Sequence, residues 1–127
     1  MIGSERVSLD CSSYLQWKQQ SKGHLCLVLQ EWNTFKPKYE LRCWIFKKRV
    51  CAINPVNYPN YYPVFEKQQM RKSITDSVVR LYNVVADYLP WTCCVMDVIF
   101  DENSNSSEVC EFNPFGGYSS TGSQLYS

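Results

Sequence analysis

The stretch WTCCVMDVIFDENSNSSEVCEFNPFGGYSSTG, Trp91 to Gly122, decides the fold. Cys93 to Phe100 is apolar and rich in β-branched residues, and Glu108 to Phe112 is a second, shorter run. Asp101 to Ser106 between them contains no apolar residue, so the segment reads as a β-hairpin. A hairpin folded symmetrically about Ser104 sets Asp97 directly across from Glu111, with Asn113 following on the same face. Two carboxylates facing each other on a sheet repel, and Asp97 interrupts an otherwise apolar strand. A hard divalent cation resolves both problems, because Mg²⁺ takes oxygen ligands and is often held by one or two carboxylates plus substrate phosphates. An arginine or lysine from elsewhere paired with Asp97 resolves them too, and the residues alone leave both readings open.

Working outward, the strand Glu40–Phe46 carries Glu40, Arg42 and Trp44 on one face by its period of two. Arg42 on a sheet with two carboxylates either pairs with Asp97 or Glu111 or grips a phosphate through its planar fork. Lys47-Lys48 is a two-residue connection, and Arg49–Ile53 returns as the hairpin partner. Asn54 to Pro63 holds three prolines, three asparagines and three tyrosines, which enforces an extended loop. The tyrosines serve either to cover a ligand or to cover the sheet edge. From Val64 to about Leu89 the period becomes helical, with Met70, Ile74, Val78, Leu81, Val85 and Tyr88 forming one apolar stripe before Pro90. Glu66, Lys67, Arg71, Lys72, Asp76, Arg80 and Asp87 form the opposite, solvated face. Leu25–Trp32 reads as a further strand, and a short helix begins near Ser12 or Ser13. The expected architecture is α+β: a mostly antiparallel sheet of five strands with one long packed helix.

Composition narrows the function. The 127 residues carry 13 Lys and Arg against 12 Asp and Glu, a formal charge of +1, which gives no electrostatic footprint for nucleic acid or an anionic membrane. No apolar run approaches the ~18 residues of a membrane span, and the N-terminus lacks the apolar region of a secretory signal. Seven cysteines without a Cys-x-x-Cys motif, and a single histidine, argue against zinc. They read as reduced core residues of a cytoplasmic protein. His24 has no demonstrable nucleophile beside it, and neither a P-loop nor a dinucleotide-binding glycine motif occurs.

The ordered succession LVLQEW (27–32), YELRCWIFKKRVCAINPVNYPNYYPVF (39–65), CVMDVIFD (94–101) and VCEFNPFG (109–116) resembles the cell division cycle protein 123 family, whose members resemble ATP-grasp enzymes. The resemblance implies that ATP and Mg²⁺ are the cofactors, with the metal on Asp97, Glu111 and Asn113 and with Arg42 near the nucleotide phosphates. It implies a role as an ATP-dependent assembly chaperone for eukaryotic translation initiation factor 2, through the gamma subunit of that factor. A carboxylate–amine ligase relative and a nucleotide-free interaction domain are the alternatives. Val56 stands where the family carries an arginine, and the tail after NPFG resembles another group of ATP-grasp-like relatives. The family's N-terminal half would precede residue 25, so the resemblance implies an N-terminal segment, 1–24, and a partial ATP-grasp-like domain, 25–127.

Overall fold

The chain divides into two compact units, residues 1–33 and 34–127. The structure, a computed structural model, describes residues 34, 39–57 and 60–115, all in the second unit. The strand expected at 25–32, the helix near Ser12, His24, Tyr58 and the tail from Gly116 lie outside the described residues.

Four strands form one antiparallel sheet: β1 (Glu40–Phe46), β2 (Arg49–Pro55), β3 (Cys94–Asp101) and β4 (Ser106–Pro114), in the order β2-β1-β3-β4. One helix, α1 (Gln68–Val85), lies between β2 and β3 in sequence. The α+β architecture is as expected, and the four expected strands that fall among the described residues are all present. The β1–β2 connection is the two-residue turn read from Lys47-Lys48, and both lysines have positive φ, 48° and 59°. A tight hairpin needs that conformation at both central positions, where Asn-Gly is usual. A side chain with a Cβ held there costs roughly 1–2 kcal/mol per residue.

Alternation divides the sheet into two faces. Leu41, Cys43 and Ile45 of β1 and Cys94, Met96, Val98 and Phe100 of β3 are buried with Ile74, Val78 and Tyr82 of α1 in a single core. Ile74, Val78 and Tyr82 recur every four residues, so the helix lays one stripe along the sheet. Each such side chain contributes about 1.5–3 kcal/mol when fully buried. Ser77 sits in that stripe because its hydroxyl is satisfied, 2.9 Å from the Ile74 carbonyl and 2.7 Å from Ser107 Oγ. The polar stripe expected on the other side of the helix is exposed throughout.

Several boundaries differ from the sequence reading. The helical segment is not continuous from Val64: a 3₁₀ turn, Pro63–Glu66, precedes α1, and another, Ala86–Tyr88, follows it. Three residues per turn in place of 3.6 rotates the last position off the stripe. Tyr88 is therefore 85% exposed, and Tyr82 takes the core position. β2 extends through Asn54 and Pro55, which the sequence assigned to the proline-rich loop, and β4 extends through Asn113 and Pro114. Of the described tyrosines in that loop, Tyr62 packs edge-on against Phe65 and Tyr61 is exposed. Cys43 and Cys94 are free thiols in the core as expected, but Cys51 of β2 is exposed.

Candidate functional site

The sheet face away from α1 carries a polar constellation, and two β-bulges put it there. At the β3–β4 turn the register pairs Asp101 with Ser106 and Val98 with Val109, then slips so that Asp97 faces Glu111. The extra residue is Cys110. The hairpin is thus not symmetric about Ser104 near its turn, and without the bulge Asp97 would face Cys110. The slip lets Val109 and Phe112, three residues apart, both pack on the core while Glu111 and Asn113 reach the opposite face. β2 repeats the device. Ile45 pairs with Val50 but Trp44 with Ala52, leaving Cys51 as the extra residue. Val50 and Ile53 both pack on the core, and Asn54 comes to lie opposite Arg42.

Arg42 is at the centre, flanked by Asn54 on β2 and Asp97 on β3. Its Nε donates to Asp97 Oδ1 at 2.8 Å and its Nη2 to Asp97 Oδ2 at 2.7 Å, a two-pronged ion pair. Both side chains are almost fully buried, at 7% and 4% exposure. The Asn113 amide donates to Asp97 Oδ2 at 3.3 Å and to Glu111 Oε1 at 3.0 Å. Trp44 Nε1 donates to Asn54 Oδ1 at 2.8 Å, closing the β2 side. Asp97 and Asn113 are buried, whereas Glu111, on the outermost strand among the described residues, is exposed.

The electrostatics show an excess of negative charge. Burial, then Asp97 and Glu111, push the Glu40 carboxyl above its ordinary value, with Arg42 opposing. The hydrogen bonds Arg42 donates to Asp97, with the surrounding carboxylates, push its guanidinium upward against the cost of its burial. Burial, aided by Glu40, Asp97 and Glu111, raises the Cys110 thiol to about 11. Among the described residues, three carboxylates thus surround Arg42.

All four residues singled out in the sequence, Arg42, Asp97, Glu111 and Asn113, come together here. The paired-arginine alternative for Asp97 is realised in the structure. Among the described residues no three His, Cys, Asp or Glu side chains converge to hold a metal by themselves. The set here is two carboxylates and an amide, a donor chemistry that fits a hard cation of the Mg²⁺ type once the amide oxygen faces inward. Which way that amide points follows from the hydrogen-bond network. Sequence reasoning placed Glu40 on this face without a role and missed Asn54. The apolar spacing of three in Val50/Ile53 is the signal that would have found it, since a regular strand buries residues two apart.

Residues 5–127 match the sequence model of the D123 family. The chain is 29% identical over 106 residues to a CDC123-like protein of Acanthamoeba polyphaga mimivirus, covering 79% of this chain and 32% of that one. It is 31% identical over 91 residues to the translation initiation factor eIF2 assembly protein of Danio rerio, covering 71% of this chain and 25% of that one. The chain therefore spans about a third or less of the length of these relatives. The solved structure of Cdc123 from Schizosaccharomyces pombe superposes with a TM-score of 0.74 over 98% of this chain and 49% of that one, at 22% identity. A C-terminally truncated form of the same protein superposes with a TM-score of 0.63 over 77% of this chain and 36% of that one, at 23% identity. The fold is shared with these structures, and the chain belongs to the D123 family, that of the Cdc123 proteins.

Proposed function

We propose that the polar face is an ATP- and Mg²⁺-binding surface and that the chain is a module of an eIF2 assembly chaperone, acting through the gamma subunit of that factor. The observation that carries the reading is the meeting of Arg42, Asp97, Glu111 and Asn113 on one sheet face, with carboxylates in excess of cations among the described residues. Asp97, Glu111 and the Asn113 amide oxygen would hold the metal, which neutralises phosphate charge when bound. Arg42 fixes the orientation of Asp97 and brings positive charge to the face. The assembly role is supported by family membership and by the name of the Danio rerio relative.

A second reading is favoured by the Arg42–Asp97 pair itself, which satisfies both charges without a metal. In that reading the sheet is an interaction module that no longer uses nucleotide. Calorimetric titration of the folded chain with ATP, with and without Mg²⁺, separates the two. Saturable, Mg²⁺-dependent binding that disappears in Glu111→Gln supports the first reading. Unchanged binding in that variant removes Glu111 from the metal set. No binding by the folded chain, with retained capture of the gamma subunit, selects the second.

A further inference from the structure

A second surface lies at the other end of this sheet, where β1 ends, β2 begins, β3 begins and β4 ends. Three cations, Lys47, Lys48 and Arg49, stand there in succession, all exposed. Among the described residues none of them makes an ion pair. Lys47 Nζ lies 5.4 Å from the centroid of the Phe46 ring. The turn is held rigidly: the Lys48 amide donates to the Thr92 carbonyl at 2.7 Å and the Lys47 amide to Cys93 Sγ at 3.5 Å.

Beside the cations is a mainly apolar cavity of about 390 Å³, bounded by Trp91, Cys94, Phe112 and Phe115, with Asn113 of the polar cluster also on its wall. Trp91 and Phe112 rings are 6.4 Å apart, and Phe115 bridges Trp44 and Phe46 at 5.8 Å from each. Phe46, Trp91 and Phe115 are 44%, 51% and 43% exposed, although they are among the largest apolar side chains of the chain. The segments that build this end, 43–52, 90–96 and 112–115, contain no Asp or Glu. Among the described residues the formal charge of these segments is therefore wholly positive, in contrast to the acidic cluster on the same sheet.

We propose that this end of the sheet is a docking surface for an acidic peptide segment with an aromatic anchor. Charge complementarity selects the acidic partner, and the cavity takes the anchor; its volume lies in the lower part of the ~300–1,000 Å³ range of ligand pockets. The backbone strain points the same way. Asn-Gly would make this turn without strain but would present no charge, and strain of this kind is retained where it positions functional groups. One compact cavity beside the cations and a near-neutral chain suit a peptide better than single-stranded nucleic acid, which is bound on successive stacking platforms along a basic track.

The test is fluorescence anisotropy of the full chain with a short labelled peptide of Asp and Glu flanking one Phe. Three further probes are the same peptide with Ser for Phe, the same peptide with Lys for Asp and Glu, and single-stranded oligouridylate. The acidic Phe peptide should bind, more weakly as salt is raised. Lys47→Glu/Lys48→Glu should weaken it by about tenfold or more, as two favourable exposed pairs become repulsive. Trp91→Ala should weaken the Phe peptide and leave the Ser peptide unaffected. Lys47→Asn/Lys48→Gly provides the folding control: it should raise the melting temperature while losing the peptide. Absence of binding by the parent chain overturns the proposal, as does equal binding of the Phe and Ser peptides. So does oligouridylate binding that the lysine variants abolish, which would make the surface one for RNA.

Discussion

Removing the Asp97 carboxylate tests whether the Arg42–Asp97 pair organises the polar face. In Asp97→Ala the Arg42 guanidinium stays buried and loses both prongs of its ion pair, at 2.8 and 2.7 Å, while Asn113 loses one of its acceptors. Arginine has no neutral form to retreat to, and its surroundings hold its pKa above the ordinary value. Removing one partner of a buried ion pair costs about 3–5 kcal/mol, and the neighbouring Glu40 and Glu111 carboxylates place the expected loss toward the lower end of that range. A domain of this size has only ~5–15 kcal/mol in total. With a urea slope of about 2 kcal/mol per molar, the unfolding midpoint should fall by roughly 1.5–2.5 M. The companion variant Arg42→Met/Asp97→Leu removes both charges and keeps apolar bulk, a replacement that is often neutral or stabilising. It should therefore unfold at higher urea than Asp97→Ala alone. A midpoint for Asp97→Ala that matches the parent would refute the reasoning. A double variant damaged by the sum of its parts would refute it too, since the two residues would then be acting independently.

Two further outcomes follow from the titrating groups. Glu40 has a folded-state pKa raised above 4.5, so its extra proton affinity stabilises the fold at low pH and is lost as pH rises through the raised value. Glu40→Gln should raise the melting temperature at neutral pH and leave it nearly unchanged below pH 4.5; identical pH profiles for variant and parent would refute the assignment. Among the thiols, exposed Cys51 should be alkylated by iodoacetamide well before Cys110, whose pKa of about 11 leaves roughly a thousandth of it as thiolate at pH 8. Mass spectrometry of timed samples checks this, and equal rates would show that burial does not control Cys110.

Much of this was legible because the signals were local. Period two in Glu40–Phe46, the two-residue Lys47-Lys48 link and the four-residue recurrence of Ile74 and Val78 each need only a few neighbouring residues. The pairing of Asp97 with Glu111 was legible only through two offsetting features: a turn centred half a residue away from Ser104 and a bulge at Cys110. The partner choice of Asp97 was not legible, because Arg42 is 55 positions away and β1 could have met β3 in either parity. The burial that makes the pair strong is a property of the assembled sheet, which no strand encodes by itself.

The ion pair and the proposed metal are compatible, and lone-pair accounting shows how. An ionised carboxylate has about four acceptor positions. On Asp97, Arg42 uses one on each oxygen and the Asn113 amide uses a second on Oδ2. One position remains, so Asp97 can give an oxygen to a cation without releasing Arg42. Asn113 cannot serve as it stands, because its Nδ2 faces both carboxylates. Turning that amide over would bring Oδ1 inward, withdraw the bonds to Asp97 and Glu111 and add a third oxygen donor, a change that a cation at the same place favours. Binding of the proposed metal would thus be tied to the orientation of the Asn113 amide. Asn113→Asp supplies an inward oxygen in either orientation but adds a fourth carboxylate around Arg42. That substitution should therefore destabilise the metal-free chain and recover stability as Mg²⁺ is added. A melting temperature that ignores Mg²⁺ in that variant would refute the coupling.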